Sequence, residues 1–276
     1  MKKFFLQFSL FLCAGLFLWQ PGFAQVWGNG VVEEQSRTIS PFHSIVSSGP
    51  VDVEAKQGSA FSLVVYADGN LIPYIKTEVK NNVLYVSATK NIWKARKMKV
   101  MVTMKDLQKV TLAGSGDFSC KTPFKSSDVQ FVVMGSGDVE AALDARNAGV
   151  KISGSGDVKL NGVRGSLTAE VIGSGDLEAS GLQLENCSLK LAGSGDMELK
   201  GRTALLTVMS LGSGDVDGSG LTAVRVKVKD NGSGDVSVHA VDSLEATMAG
   251  SGDLHYSGNP TVLKVSALGS GAVYRR

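Results

Sequence analysis
The chain has 276 residues, 43% of them hydrophobic and 20% charged, which is the composition of a folded protein with a real core. Glycine is in excess, 33 residues or about 12% against a usual ~7%, but there are only 6 prolines and no Gly-X-Y triplet, so collagen is excluded. Three cysteines and three histidines leave little material for a disulfide scaffold or a metal cluster.

The first segment reads as an address. Lys2 and Lys3 precede an apolar run from Phe4 to Trp19, and small residues at Gly22 and Ala24 mark a cleavage site after Ala24. Residues 1–24 are therefore expected to be a secretory signal peptide and not a membrane anchor, for which the run is at the short limit. Leu12 stands before Cys13 where a lipoprotein signal needs a small residue. Removing this segment leaves 26 basic and 26 acidic residues. A neutral chain offers no electrostatic footprint for nucleic acid.

Residues 25–110 are β-rich without a clear repeat. Phe61 to Tyr66, Val83 to Ala88 and Met98 to Met104 read as strands, with turns at Gly69-Asn70 and Asn81-Asn82. Ser47 to Val53 looks like a degenerate copy of the corner described next. The expected role of 25–110 is to cap the open end of a solenoid. Lys90, Lys94, Arg96, Lys97 and Lys99 surround Trp93; the cluster reads either as a solvated hairpin or as a site for an anionic glycan or lipid head group.

From residue 111 to 276 a tetrapeptide recurs. Gly-Ser-Gly-Asp begins at Gly114, Gly135, Gly154, Gly173, Gly193, Gly212, Gly232 and Gly250, and a ninth copy at Gly269 ends in Ala272. The copies are 18 to 21 residues apart. Counting from the first Gly as zero, positions −6, −4 and −2 are apolar, as in Leu167, Ala169 and Val171. Positions +4 and +6 are apolar too, as in Val158 and Leu160, around a mostly polar +5. Period-two alternation within a 20-residue period means stacked coils of parallel strands. The expected fold is all-β: a single-stranded parallel β-helix, right-handed, its two sheets joined by Gly-Ser-Gly corners, with a second glycine corner at +8 (Gly162, Gly181, Gly201, Gly220, Gly258).

The corner has three expected properties. Gly114 and Gly116, and their equivalents, let the backbone take positive φ and let coils stack closely. Ser115 and its equivalents form a ladder whose hydroxyls can bond to one another. Asp117, Asp138, Asp157, Asp176, Asp196, Asp215, Asp235 and Asp253 stack about 4.8 Å apart, where two charges repel by only ~0.9 kcal/mol in water. Backbone N–H donors at the corner offset that, so these read as structural turn residues. Calcium binding is the alternative, although one Asp per coil supplies few of the six or more oxygens that ion takes. Cys120 and Cys187 face inward, about 15 Å apart along the axis, and are expected to be buried free thiols.

An exported chain with Gly28-Asn29-Gly30, then Arg37, Phe42, Ile45 and Gly49, then serial Gly-Ser-Gly-Asp corners resembles the auto-transporter adhesin head GIN domain family. That family is a domain of unknown function found in Bacteroidetes-type bacteria, and the likeness spans about residues 40–260. It implies a pectin-lyase-like β-helix and an adhesion role, and it brings no catalytic residues. No membrane-anchoring barrel or coiled stalk is legible, so self-insertion into an outer membrane is not expected.

Three functions compete. The first is a non-catalytic binding or adhesion module of the cell envelope, in the periplasm, at the surface or outside the cell, with a glycan or surface protein as partner. Position −1 points outward yet holds Met134, Ile172, Leu211 and Leu268, a candidate contact surface for self-association unless the corner is tucked under neighbouring loops. The second is a structural envelope protein without ligand. The third is a polysaccharide-active enzyme, which needs a break in the repeat; the coils barely vary, and His43, His239 and His255 share no column. No catalytic residue, metal or cofactor is assigned.

Overall fold
The computed structural model describes residues 25–276; the expected signal peptide, with Cys13, lies outside the described residues. The fold is a β-solenoid of about nine turns, with no α-helix among the described residues. Seven long strands, from Phe118–Val133 through Val236–Met248, each wrap one coil and pair in parallel with the next. The alternation in the sequence becomes alternation in burial. Val158, Leu160, Leu167, Ala169 and Val171 are in the core while Lys159 and Thr168 face water. Columns repeat from coil to coil, so one apolar core runs through the stack, as in Val150, Ala169, Leu189 and Val208.

The two glycine corners have different physics. None of the Gly-Ser-Gly-Asp glycines has positive φ, contrary to the sequence expectation. They are glycine because neighbouring coils approach too closely for a side chain. A Cβ on Gly154 would lie 2.0 Å from the Gly135 carbonyl oxygen, and one on Gly156 would lie 2.1 Å from that of Gly137. Positive φ belongs instead to the second corner, at Gly162 (93°), Gly181 (63°), Gly201 (141°) and Gly258 (95°), although not at Gly220. The corner serines also differ from expectation. Their hydroxyls are exposed and, among the described residues, do not bond to one another. Their backbone N–H groups carry the ladder, as in Ser155 to the Gly135 carbonyl at 3.0 Å and Ser174 to that of Gly154 at 3.1 Å.

The first coils are laid down out of chain order. Ser44–Ser48 pairs in parallel with Lys109–Leu112 above it and Val83–Ala88 below it. Asp52–Gln57 likewise lies between Phe118–Val133 and Met98–Met104. Coil 44–57 is thus sandwiched by two later segments, and its Gly49-Pro50-Val51-Asp52 occupies the corner column, with Gly49 at φ 111°. The exposed face of the lowest coil is closed by antiparallel strands. Ile75–Lys80 covers Val83–Ala88 through the Asn81-Asn82 turn, whose residues have φ 49° and 60°. Ser62–Asp68 covers Met98–Met104, and Val32–Arg37 covers Ser62–Asp68 in turn. The outermost strand is short and polar, with Glu33 and Glu34 exposed, which discourages further pairing.

Asp68 joins three segments of this covering layer. Its buried carboxylate accepts backbone N–H bonds from Gly30 at 3.0 Å, Arg96 at 3.1 Å and Lys97 at 3.2 Å. A Cβ on Gly28 would lie 1.9 Å from Asp68 Oδ2, which accounts for the first glycine of Gly28-Asn29-Gly30. Arg37 donates to the carbonyls of Ile75 at 2.7 Å and Ile72 at 3.1 Å, and Phe42 and Ile45 are buried in the core.

Gly154→Ala forces a Cβ against backbone and is expected to destabilise by about 1–3 kcal/mol or more in urea titration. Gly149→Ala, whose Cβ would meet only Gln130 Cγ at 3.5 Å, is expected to be neutral or stabilising by about 0.4–1 kcal/mol. For Asp68, burial pushes the carboxyl pKa up, but the three N–H donors outweigh it and the net shift is downward. A folded pKa below the unfolded value means stability is fully present above the unfolded carboxylate range, about pH 4. It is lost as pH falls through the folded pKa. The stability gap between the wild type and Asp68→Asn is therefore expected to be widest near neutrality and to shrink below about pH 4, followed by thermal melts across pH.

Candidate functional site
The corner aspartates form one continuous ladder. The backbone N–H of each Asp donates to Oδ1 of the Asp one coil earlier: Asp138 to Asp117 at 2.9 Å, Asp157 to Asp138 at 2.8 Å, Asp176 to Asp157 at 2.8 Å. The same bond continues at 2.7–2.8 Å through Asp196, Asp215, Asp235 and Asp253. It begins at Asp52, which accepts from Asp117 at 3.2 Å, and ends at Ala272, which donates to Asp253 at 2.8 Å. A charge-assisted bond per coil offsets the weak repulsion along the column. At Asp52, a partly buried rung, burial pushes the carboxyl pKa up, with the Asp117 N–H opposing. Among the described residues no group of three or more His, Cys, Asp or Glu is placed to hold a metal ion.

Two faces meet along this ridge. On the +5 side runs an open groove of about 420 Å³. Its walls combine the carboxylates of Asp117, Asp138, Asp157 and Asp176 with Glu140, Glu178, Lys121 and Lys159; Phe118, Val139 and Val158 beneath it turn their side chains into the core. Lys159 Nζ lies 2.6 Å from Glu178 Oε2. The ladder uses Oδ1 of each aspartate, and at the exposed Asp138, Asp157 and Asp176 Oδ2 has no hydrogen bond from the described residues. On the −1 side, Met134 (53% exposed), Ile172 (43%), Leu211 (42%) and Leu268 (74%) stand outward, so the corner is not tucked under loops.

The remaining sequence candidates are dispersed. In the basic cluster Lys99 pairs with Glu54 at 3.0 Å, Lys97 sits over the Tyr66 ring at 5.3 Å, and Trp93 lies against Trp27 with ring centroids 6.4 Å apart. Two Ser–His contacts occur that spacing did not reveal, His43 with Ser44 at 3.0 Å and His239 with Ser257 at 2.8 Å. Neither imidazole has a carboxylate within hydrogen-bond reach on its other side among the described residues, so neither makes a triad. His255 stacks on Tyr274 at 5.2 Å. Cys120 and Cys187 are buried and free, and burial pushes both thiols up to about 12.

A β-solenoid with a glycine-built corner and a carboxylate ladder is a repetitive scaffold. The chain belongs to the auto-transporter adhesin head GIN domain family: the family described as "Putative auto-transporter adhesin, head GIN domain" matches residues 41–200 and 184–260. Solved structures share the fold. A protein from Parabacteroides distasonis described as a putative lipid binding protein is 28% identical, with a TM-score of 0.66 over 91% of this chain and 100% of that one. A putative adhesin from the same organism is 24% identical with a TM-score of 0.67 over 91% and 100%. One from Parabacteroides merdae is 24% identical, at 0.66 over 91% and 99%. No curated protein matches the sequence.

Asp157→Ala is expected to cost about 1–3 kcal/mol, because it orphans the Asp176 N–H at a tightly packed corner. Asp157→Asn keeps an acceptor and is expected to cost less; chemical denaturation compares the two. The thiols of Cys120 and Cys187 are expected to resist a thiol reagent in the native protein and both to react once it is unfolded, counted by absorbance.

Proposed function
We propose that the protein is an exported, non-catalytic binding or adhesion module of the cell envelope, and that the groove beside the aspartate ladder receives a polar ligand, a glycan in first place. The observation that supports this reading is the groove itself. It is preformed on the coil stack, open along the rod, and sets a row of carboxylates beside lysines. Sugars present hydroxyls to carboxylates and ammonium groups, and a site made of repeated coils suits a ligand made of repeated units. The naming of relatives as adhesins is consistent with such a role. A structural envelope protein without ligand is the second reading, favoured by the internal use of one oxygen of every rung. An enzyme is the least supported, since the coils around the groove vary little and hold no nucleophile with its base.

A glycan array with the purified protein, run beside fractionation of producing cells, tests the proposal. Binding that is lost in Glu140→Lys and Glu178→Lys, with protein at the cell surface, is the expected result. No glycan bound and a soluble periplasmic pool would favour the structural reading, and turnover of a polysaccharide would favour the enzyme.

A further inference from the structure
The face on the other side of the ridge is patterned along its length. In its −1 column the large residues Met134, Ile172 and Leu211 alternate with the small or polar Ser153, Ala192 and Asn231, so knobs and gaps follow each other every coil. The adjoining −3 column is fixed in register by the strand pairing and carries Lys151, Glu170 and Lys190 in successive coils. Glu170 binds both neighbours, Lys151 at 2.9 Å and Lys190 at 2.8 Å, and those bonds hold its carboxyl below the usual range. The −5 column is small and polar at its centre, with Gly149, Thr168, Ser188 and Thr207 in line.

We propose that this face pairs with the same face of a second copy, the two rods antiparallel, about a two-fold axis that passes between the coils of Ile172 and Ala192. A two-fold axis across the rods reverses coil order and keeps each column facing itself. In that register Ile172 meets Ala192 of the second copy, Leu211 meets Ser153, and Met134 meets Asn231. Every knob of these coils faces a gap. Two opposite-charge pairs fall on the same axis, while Lys151, Lys227 and Lys229 meet the uncharged Met209, Gln130 and Val132. Glu170 faces Lys190 of the second copy, and Lys109 of the lowest paired coil faces Glu245 of the highest. No like charges stand directly opposite in the −3 or −5 columns. The centre of the interface is Thr168 against Ser188, small enough for close approach.

The overlap spans eight coils, about 38 Å at ~4.8 Å per coil, and three columns about 14 Å across. With side-chain margins this buries about 600 Å² per copy and about 1,200 Å² in all, at the lower edge of stable interfaces. A lipid surface has no use for alternating knobs and gaps or for self-matching charges, and a second copy needs both.

Light scattering and cysteine cross-linking of the purified protein decide the matter. At tens of micromolar the expected mass is that of a dimer. Ile172→Asp, on an exposed side chain that leaves the core intact, is expected to weaken association at least tenfold. Glu170→Lys alone is expected to weaken it, and the added Lys190→Glu to restore it, because the swapped pair still faces its opposite. The double variant Met134→Cys with Asn231→Cys is expected to form a covalent dimer on mild oxidation; within one chain these positions lie about five coils, or 24 Å, apart and cannot join. Neither single variant should cross-link. A monomer at all concentrations, or cross-linking by Met134→Cys alone, would overturn the proposal. Loss of glycan binding in the groove variants leaves this result unaffected, since the two faces lie on opposite sides of the ridge.

Discussion
The close approach of successive coils at the Gly-Ser-Gly-Asp corner is the constraint on which the structure depends. There the carbonyl of one coil sits where the side chain of the next would be, so only glycine fits at two positions of the four. That closeness brings backbone N–H groups within reach of carbonyls and of the aspartate carboxylates one coil earlier. A tight corner leaves polar groups to be satisfied, and the aspartate satisfies one that the strand ladder does not reach. With the corner pinned, the strands on both sides cannot slip, since a one-residue slip would turn the core columns outward. The continuous column of Val150, Ala169, Leu189 and Val208 is therefore a result of the corner as much as of hydrophobicity.

A stack of parallel coils has a problem at its end that a closed barrel does not have. Here the chain solves it by folding back beneath its own first coil and then covering that layer with antiparallel strands. Asp68 is the junction of this arrangement, because it ties the segment around Gly30 to the loop around Arg96 through backbone donors alone. The arginine at position 37 acts in the same way with the opposite polarity, donating to carbonyls of a neighbouring turn.

The repeat made the architecture legible, because period and parity are properties of residue order. The inward columns, the buried Cys120 and Cys187 and the outward Met134, Ile172 and Leu211 all follow from parity, and all are found where parity places them. Backbone angles were not legible. A glycine can be required by φ or by proximity, and the letter is the same for Gly154 as for Gly162, whose reasons differ. Asp68 was missed for a related reason: its donors come from residues 30, 96 and 97, none of which forms a motif with it. The out-of-order coil was hidden because residues 83–104 carry no corner sequence, and pairing with 44–57 is a long-range fact. The groove was only half visible, since its acids could be assigned to a column but the open space between columns depends on side-chain positions.

The aspartate ladder runs in one direction. Each coil offers a carboxylate to its successor and takes one from its predecessor, so any coil can follow any other. Whole units of about twenty residues can then be inserted or deleted while every rung stays intact, whereas a partial unit would break the series. Length in such a protein changes in steps of one coil. The series changes at Ala272: its N–H donates to Asp253, but its side chain has no oxygen to offer in turn, so a coil stacked upon it would find no carboxylate at that rung.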